Sequence, residues 1–170
     1  MRHLKEDGGL HEDVGVYSTG TVQEEVGLRG ATTAAYTIDA VTGLAVDVSF
    51  STDYPNVPKE KWGDAYIGKG PLVTRGANIN PIVFSMVTKA AAEDGIPYQV
   101  EVEGGGSGTD AEAMQISRGG MATGVIGVPL RYMHTPCELL SLTDVENCAK
   151  LMAAYCRRVR PDTDFTPRLL

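Results

Sequence analysis

The residues best suited to chemistry are two adjacent carboxylates, Glu24 and Glu25, within the stretch Thr21–Ala31. The β-branched run Val14–Val22 that overlaps its start predicts a strand, and the alanine-rich run Leu28–Ile38 that follows predicts a helix. The pair is therefore expected in a turn at the carboxyl end of a strand, where α/β proteins place ligands and catalytic groups. Adjacent side chains point in different directions, so one carboxylate can bind a metal ion while the other faces a water. Taken alone, however, a Glu-Glu pair is more often a solvated turn.

Two further side chains are candidate metal ligands. Asp47 lies in the apolar run Leu44–Phe50, which predicts a strand buried on both faces. A buried carboxylate needs a partner, and the residues alone favour an ion pair and a metal equally. His134 follows the predicted strand Gly124–Pro129 in a proline-containing turn, and imidazole is a standard zinc ligand. A lone histidine is nevertheless more often an ordinary core or surface residue.

A glycine-rich stretch, Gly104–Gly108, lies between a strand predicted at Tyr98–Glu103 and a helix capped by Thr109. Glu112, three residues after Thr109, predicts a capping box, and a helix N-terminus offers free N–H groups. No Lys-Ser/Thr follows the glycines, and the dinucleotide spacing is absent. Thr109 also stands where a nucleophile elbow needs glycine. The residues alone indicate a tight turn.

Four motifs resemble, in order and spacing, those of the tetrahedral (TET) metallo-aminopeptidases, a family of dinuclear-metal exopeptidases. They are Gln23–Ala31, Val46–Val48, Gly106–Ala111 and Arg131–Pro136. The resemblance runs over nearly the whole chain. It implies a zinc-exopeptidase-like catalytic domain that acts on peptides, although some members of the family carry the description endoglucanase or cellulase M.

The resemblance implies a role for each candidate. Glu25 and His134 resemble two ligands of one metal ion and Asp47 a ligand of the other, with zinc or cobalt as the ion. Glu24 resembles the general base, which takes a proton from the attacking water and delivers it to the leaving amine. The loop residues that resemble a wall of the substrate cleft are Gly106, Ser107, Gly108, Thr109 and Asp110.

The same resemblance covers only the C-terminal half of a longer catalytic domain. Met1–Gly9 predicts the last turns of a helix with a glycine stop. The family's other half contains an inserted β-rich domain, a further ligand histidine and an aspartate that bridges the two ions. No residue here matches either ligand. We therefore expect residues 1–170 alone to be incomplete or inactive. They should hold at most one ion weakly, because two unbridged ions repel. The complete enzyme is expected to be a homo-oligomer.

The remaining pattern predicts the fold class. Helices are expected at Asn80–Glu93 and from Leu142 to a stop at Pro161, and Ser51–Asn78 is a long loop with a short strand near Pro71–Thr74. Strands and helices alternate along the chain. This alternation predicts an α/β fold with a mostly parallel, mixed sheet covered by helices on both faces.

Composition excludes several classes. The 170 residues, 42% of them hydrophobic, fit one globular domain. A formal charge of −7 argues against nucleic acid as a partner. No apolar run approaches the roughly 20 residues of a membrane span, and no signal peptide opens the sequence. The cysteines, Cys137, Cys148 and Cys156, lack a pairing motif and indicate a reducing cytoplasm.

Three hypotheses stay open on the sequence. The first is a metallo-aminopeptidase, the second a non-catalytic remnant that keeps the fold, and the third a glycoside hydrolase. A glycosidase would use two carboxylates roughly 5–9.5 Å apart. Chelation separates the first from the third, because a two-carboxylate glycosidase keeps its activity without metal.

Overall fold

A computed structural model describes residues 1–168, in which helices and strands alternate along the chain. The helices are α1 (Arg2–Asp7), α2 (Arg29–Ile38), α3 (Lys59–Trp62), α4 (Pro81–Glu93), α5 (Asp110–Gln115) and α6 (Leu142–Arg158). The strands are β1 (Thr42–Phe50), β2 (Leu72–Gly76), β3 (Gln99–Glu103), β4 (Ala122–Arg131) and β5 (Leu139–Leu140). A 3-10 turn at Glu24–Val26 precedes α2.

The sheet is mixed, with the strand order β1-β4-β2-β3. β1 runs parallel to β4, with Asp47 opposite Gly127, and β2 runs parallel to β3, with Thr74 opposite Glu101. β4 is antiparallel to β2, and the short β5 pairs antiparallel with the end of β4. The α/β class and the mixed sheet predicted from the sequence are confirmed.

Helices cover both faces of this sheet, as predicted. On one face, α5 packs Ala111 against Ala45 of β1 and Val125 of β4. On the opposite face, α4 and α6 enclose the main core, because neighbouring residues of a strand point to opposite sides. The buried members of this core are Val73, Val83, Val87, Ala91, Ile126, Val128, Cys148, Leu151 and Tyr155.

The capping residues explain where two helices begin. The Asn80 side chain accepts the N–H groups of Ile82 and Val83 at 2.9 and 3.1 Å, which starts α4 with Pro81 in its first turn. Thr109 caps α5 by accepting the Ala111 N–H at 3.3 Å. The other half of the predicted capping box differs, because the carboxylate of Glu112 accepts the N–H of Gly108, at 2.8 Å, instead of that of Thr109. This bond ties the glycine-rich loop to α5.

The strand predicted at Val14–Val22 is wrong. The segment is irregular, and Tyr17 and Val22 are 71% and 66% exposed. A strand needs a neighbouring strand for its backbone hydrogen bonds, and no described strand pairs with this segment. β1 pairs with β4 alone among the described strands, so it is an edge strand of the sheet. Its predicted burial on both faces is also wrong, since Val46 is 44% exposed.

The long loop Ser51–Asn78 contains the short helix α3 as well as the predicted strand, here β2. Buried polar contacts fix the loop before β2. The Thr52 N–H donates to the Ala65 carbonyl, and the Thr52 hydroxyl oxygen accepts the Ala65 N–H at 2.9 Å. Asp144, which is fully buried at the start of α6, accepts the N–H groups of Gly68 and Gly70 at 2.6 and 2.9 Å. The loop is therefore anchored to the helix layer.

Replacing Asp144 by alanine should destabilise the fold by about 1–3 kcal/mol. The change leaves the N–H group of Gly70, a buried residue, without an acceptor, at about that cost. It also removes the acceptor of the Gly68 N–H, but Gly68 is exposed and water can replace that bond. Urea unfolding measures the effect. The control is Asp162→Ala, because Asp162 is exposed, and it should change stability by less than about 0.5 kcal/mol. Equal effects of the two substitutions would remove the anchoring role of Asp144.

No helix among residues 1–168 is long and apolar enough to cross a membrane.

Cys148 is buried, Cys156 is half-buried and Cys137 is exposed, and each carries a free thiol.

Candidate active site

A cavity of about 480 Å³ lies at the carboxyl end of β1. The four side chains predicted to do catalysis or bind metal, Glu24, Glu25, Asp47 and His134, all line it. From the predicted substrate loop, Ser107, Gly108 and Thr109 line it as well, whereas Gly106 and Asp110 are not part of its lining. Four separated stretches of the chain thus bring polar groups to one space.

A strained turn presents Glu24 and Glu25. Gln23 before the pair and Leu28 after it have left-handed backbone angles, with φ of 60° and 55°. The turn is fixed to the start of α2 by the Gly30 N–H, which donates to the Val22 carbonyl at 2.9 Å. A Cβ at position 30 would collide with the backbone of Val22, so this close approach requires glycine.

Asp47 projects from β1 and is half-buried. Its Oδ1 accepts the N–H of Val48 at 2.7 Å, which orients the carboxylate at the strand end. No lysine or arginine among residues 1–168 forms an ion pair with it, so the ion pair that the sequence left open is not present in the described part of the chain.

His134 lies in the turn after β4 and has a φ of 60°. Its backbone N–H donates to Oε1 of Glu138 at 2.7 Å, and its Nε2 lies 3.4 Å from Oε1 of Glu25. Both side chains of the latter pair are exposed, so water screens their attraction and the contact adds little stability. It does place an imidazole and a carboxylate side by side at the cavity.

A bidentate ion pair holds the end of β4 just before this turn. Nε and Nη2 of Arg131 donate to the two carboxylate oxygens of Asp53 at 2.8 and 2.7 Å. These charge-assisted bonds lower the pKa of Asp53 to about 2. The pair joins β4 to the loop after β1, the strand that carries Asp47.

The acidic groups at the cavity influence one another. Burial raises the pKa of Glu24, and the negative charges of Asp47, Glu25 and Asp110 raise it further. Burial also raises the pKa of Asp47, against the opposing effect of the Val48 N–H. The positive charge that His134 can carry lowers both pKa values. A carboxylate with a raised pKa holds a proton more readily, which is the property that a general base requires.

Asp110 takes part in this electrostatic coupling from behind the cavity wall. Its Oδ2 accepts a hydrogen bond from the Thr21 hydroxyl, just before the Glu24–Val26 turn. Its Oδ1 is buried and has no hydrogen-bond partner among the described residues. Asp110 therefore links the start of α5 to the segment that carries Glu24 and Glu25.

The carboxylate and imidazole side chains at the cavity fit a divalent ion only in part. Carboxylate and imidazole groups suit zinc and related metals, and Glu25 and His134 are in contact. Among residues 1–168, however, no three His, Cys, Asp or Glu side chains lie close enough together to hold an ion. Asp47 faces the same cavity without joining the other two as a third ligand.

Sequence reasoning did not single out Glu101 of β3 as a cavity residue. It predicted an alternating strand here and assigned no role to the side chains. Glu101 lines the cavity, as its neighbours Val100, Val102 and Glu103 also do, and it accepts hydrogen bonds from Thr74 and Ser49. The local pattern carries no signal for this, because it depends on which face of β3 the neighbouring strand β2 shares.

The chain was compared with known proteins. The sequence profile described as M42 glutamyl aminopeptidase matches residues 1–151. Lysyl aminopeptidase of Pyrococcus furiosus is 43% identical over 164 residues, which are 94% of this chain and 44% of that protein.

Solved structures of aminopeptidases are also similar to this chain. A TET aminopeptidase from the marine sediment archaeon Thaumarchaeota archaeon SCGC AB-539-E09 superposes with a TM-score of 0.78 at 34% identity, covering 84% of this chain and 40% of that one. The Pyrococcus horikoshii TET1 peptidase, described as able to assemble into a tetrahedron or a large octahedral shell, gives a TM-score of 0.61 at 32% identity, with 82% and 40% covered.

The chain thus spans less than half the length of these relatives. The profile match nevertheless takes in most of the chain, including all four residues that line the cavity as candidate catalytic and metal-binding groups. The chain belongs to the M42 glutamyl aminopeptidase family.

Proposed function

We propose that this chain forms part of a metal-dependent aminopeptidase, which releases N-terminal residues from peptides. The observation that carries the proposal is the convergence of Glu24, Glu25, Asp47 and His134 on one cavity in a member of a peptidase family. Peptide hydrolysis needs a proton acceptor beside the attacking water and a cation to polarise the carbonyl, and this set offers groups for both.

Each residue has a distinct role in this proposal. Glu24 accepts a proton from the attacking water and delivers it to the departing amine. Glu25 and His134 would hold one divalent ion, zinc or cobalt, and Asp47 would contribute to a second. When bound, such ions lower the pKa of water and polarise the scissile carbonyl. The loop residues Gly106 to Asp110 form the wall along which the peptide lies.

The proposal also concerns what completes the site. Since Asp47 does not join Glu25 and His134 as a third ligand, we place the remaining ligands in a further N-terminal half of the catalytic domain, together with a β-rich insertion. Residues 1–170 alone then hold at most one ion weakly and have little activity. The assembly described for the P. horikoshii relative supports a homo-oligomeric complete enzyme. The free cysteines support a cytoplasmic location.

Hydrolysis of aminoacyl p-nitroanilides by the protein that contains this chain tests the function. We expect release of p-nitroaniline from substrates with a free α-amine, none from N-acetylated controls, and loss of activity on chelation that added zinc or cobalt restores. Chelator-resistant cleavage of a cellulose oligomer, with no peptidase activity, would instead support the glycosidase hypothesis. A protein inactive on both substrate classes would support the non-catalytic one.

A further inference from the structure

The turn after β4 that carries His134 has an unfavourable backbone. Tyr132 and His134 both have a φ of 60°, a left-handed conformation that L side chains rarely adopt and that persists only where surrounding contacts hold it. The Thr135 hydroxyl donates to the Tyr132 carbonyl at 2.6 Å, and the His134 N–H donates to Glu138. Both bonds lie within residues 132–138, so they shape the turn without joining it to the sheet.

The ion pair between Asp53 and Arg131 joins this turn to the rest of the molecule. Its two bonds, at 2.8 and 2.7 Å, are charge-assisted and bidentate. The Asp53 and Arg131 side chains are 12% and 29% exposed, so water screens this pair less than the exposed contact between Glu25 and His134. Oδ2 of Asp53 also accepts the Ile67 N–H at 3.2 Å, which fixes the carboxylate to its own loop.

An aromatic contact lies beside the ion pair. Tyr54 packs against Tyr132 with ring centroids 5.0 Å apart and ring planes tilted by 56°, within the range where aromatic pairs attract. Tyr54 follows Asp53, and Tyr132 follows Arg131, so consecutive residues of one loop hold consecutive residues of the other. We call Asp53, Tyr54, Arg131 and Tyr132 the clamp. Two contacts at adjacent positions fix the orientation of the turn as well as its position.

The clamp extends the pairing of β1 with β4 beyond the ends of both strands. The Ser51 N–H, one residue after β1, donates to the Leu130 carbonyl of β4 at 2.9 Å, and the clamp begins two residues later. Because β1 carries Asp47 and β4 leads to His134, the clamp sets where the imidazole lies relative to that carboxylate. The described residues that line the cavity include Met133 and His134 but no clamp residue. The clamp therefore acts on the cavity through the turn.

We propose that Asp53, acting through Arg131, is a positioning residue for His134. The clamp holds the turn in its left-handed conformation and keeps the imidazole beside Glu25 at the cavity. This inference rests on the proposed function, in which these two side chains act together. Asp53 itself touches neither the peptide nor an ion.

Backbone relaxation in NMR spectra of the 170-residue chain tests the inference with Asp53→Asn, which keeps the size of the side chain and removes its charge. In the unchanged protein we expect amide order parameters of about 0.85 at residues 132–134, and values below about 0.6 in the variant. A nuclear Overhauser effect between the His134 ring and the Glu25 side chain should be present in the unchanged protein and absent in the variant. The remaining amide spectrum shows whether the fold is kept.

The control is Asp64→Asn, the same chemical change in the same loop. The Asp64 carboxylate pairs with Lys59 at 3.0 Å on the surface, so residues 132–134 should stay rigid and the Overhauser effect should remain. A role of Asp53 confined to its own loop would loosen Ile67, whose N–H it accepts, and leave the His134 turn unchanged. That pattern would overturn the inference.

Arg131→Lys decides the question if Asp53→Asn does not fold. Lysine keeps the positive charge but cannot donate two parallel bonds to the carboxylate, so the order parameters at residues 132–134 should fall to intermediate values. A turn that stays rigid in this variant, or one that is already mobile in the unchanged protein, would overturn the inference. These measurements need neither substrate nor metal, so a negative aminopeptidase assay would reject the proposed function without deciding whether the clamp holds the turn.

Discussion

Replacing Glu24 by glutamine is expected to lower kcat of the proposed complete enzyme by about 10²–10⁴-fold, the usual contribution of a general base. Glutamine has nearly the same size and still lines the cavity, but its amide cannot take the proton from water. The steady-state rate of hydrolysis of an aminoacyl p-nitroanilide measures the loss. Metal content, measured by elemental analysis, should stay unchanged.

Two matched substitutions sharpen this test. Glu12→Gln makes the same chemical change at an exposed position away from the cavity and should leave kcat unchanged. Glu25→Gln should lower metal content together with activity, because that carboxylate is the proposed ligand. If Glu24→Gln removes the metal to the same extent as Glu25→Gln, the division of roles between the two neighbours is wrong.

Replacing His134 by alanine is expected to abolish the weak ion binding that we propose for the 170-residue chain. The structure offers one contacting pair of suitable donors at the cavity, Glu25 and His134, so loss of the imidazole leaves a single exposed carboxylate. Isothermal titration with Zn²⁺ or Co²⁺ should give at most one ion per chain before the substitution and none after it.

The control for this experiment is His3→Ala. His3 Nε2 lies 2.9 Å from Glu146 Oε1, so the chain contains a second histidine–glutamate pair of the same composition away from the cavity. Its loss should leave ion binding unchanged. Binding that depends on His3 and survives His134→Ala would contradict the assignment of Glu25 and His134 as ligands.

Most helices and strands follow from local pattern and capping chemistry. The N-terminal helix ends at Gly8, as its glycine stop predicts, with a φ of 64°. Asn80 and Pro81 start α4, and apolar residues spaced three and four positions apart place Cys148, Leu151 and Tyr155 of α6 in the core. These signals act within one turn of helix, so they survive without knowledge of the tertiary fold.

The failures concern strands, whose structure depends on distant partners. Val14–Val22 has the composition of a strand, but no described strand lies beside it. Glu101 faces the cavity because β3 shares its register with β2, where Thr74 stands opposite. Composition cannot supply pairing partners, so the sequence alone did not place Glu101 at the cavity.

The sequence identified which residues form the candidate site, but it did not give the distances between them. The four-motif resemblance named side chains that all line one cavity, because strand ends bring distant segments together. It implied that Glu25 and His134 share an ion that Asp47 does not bind, but it could not give the 3.4 Å contact between the first two. Such distances are set by turn conformations, among them the left-handed backbone at His134.

The central claim is that Glu25, Asp47 and His134 face one cavity as metal-binding groups beside Glu24. Paramagnetic broadening by Co²⁺ in amide NMR spectra of the 170-residue chain tests it most directly. We predict that the broadened signals cluster at Glu24–Val26, at Asp47 and Val48, and around His134, which together surround the cavity. Broadening centred on His3 and Glu146, or spread without preference over the acidic surface, would contradict the claim.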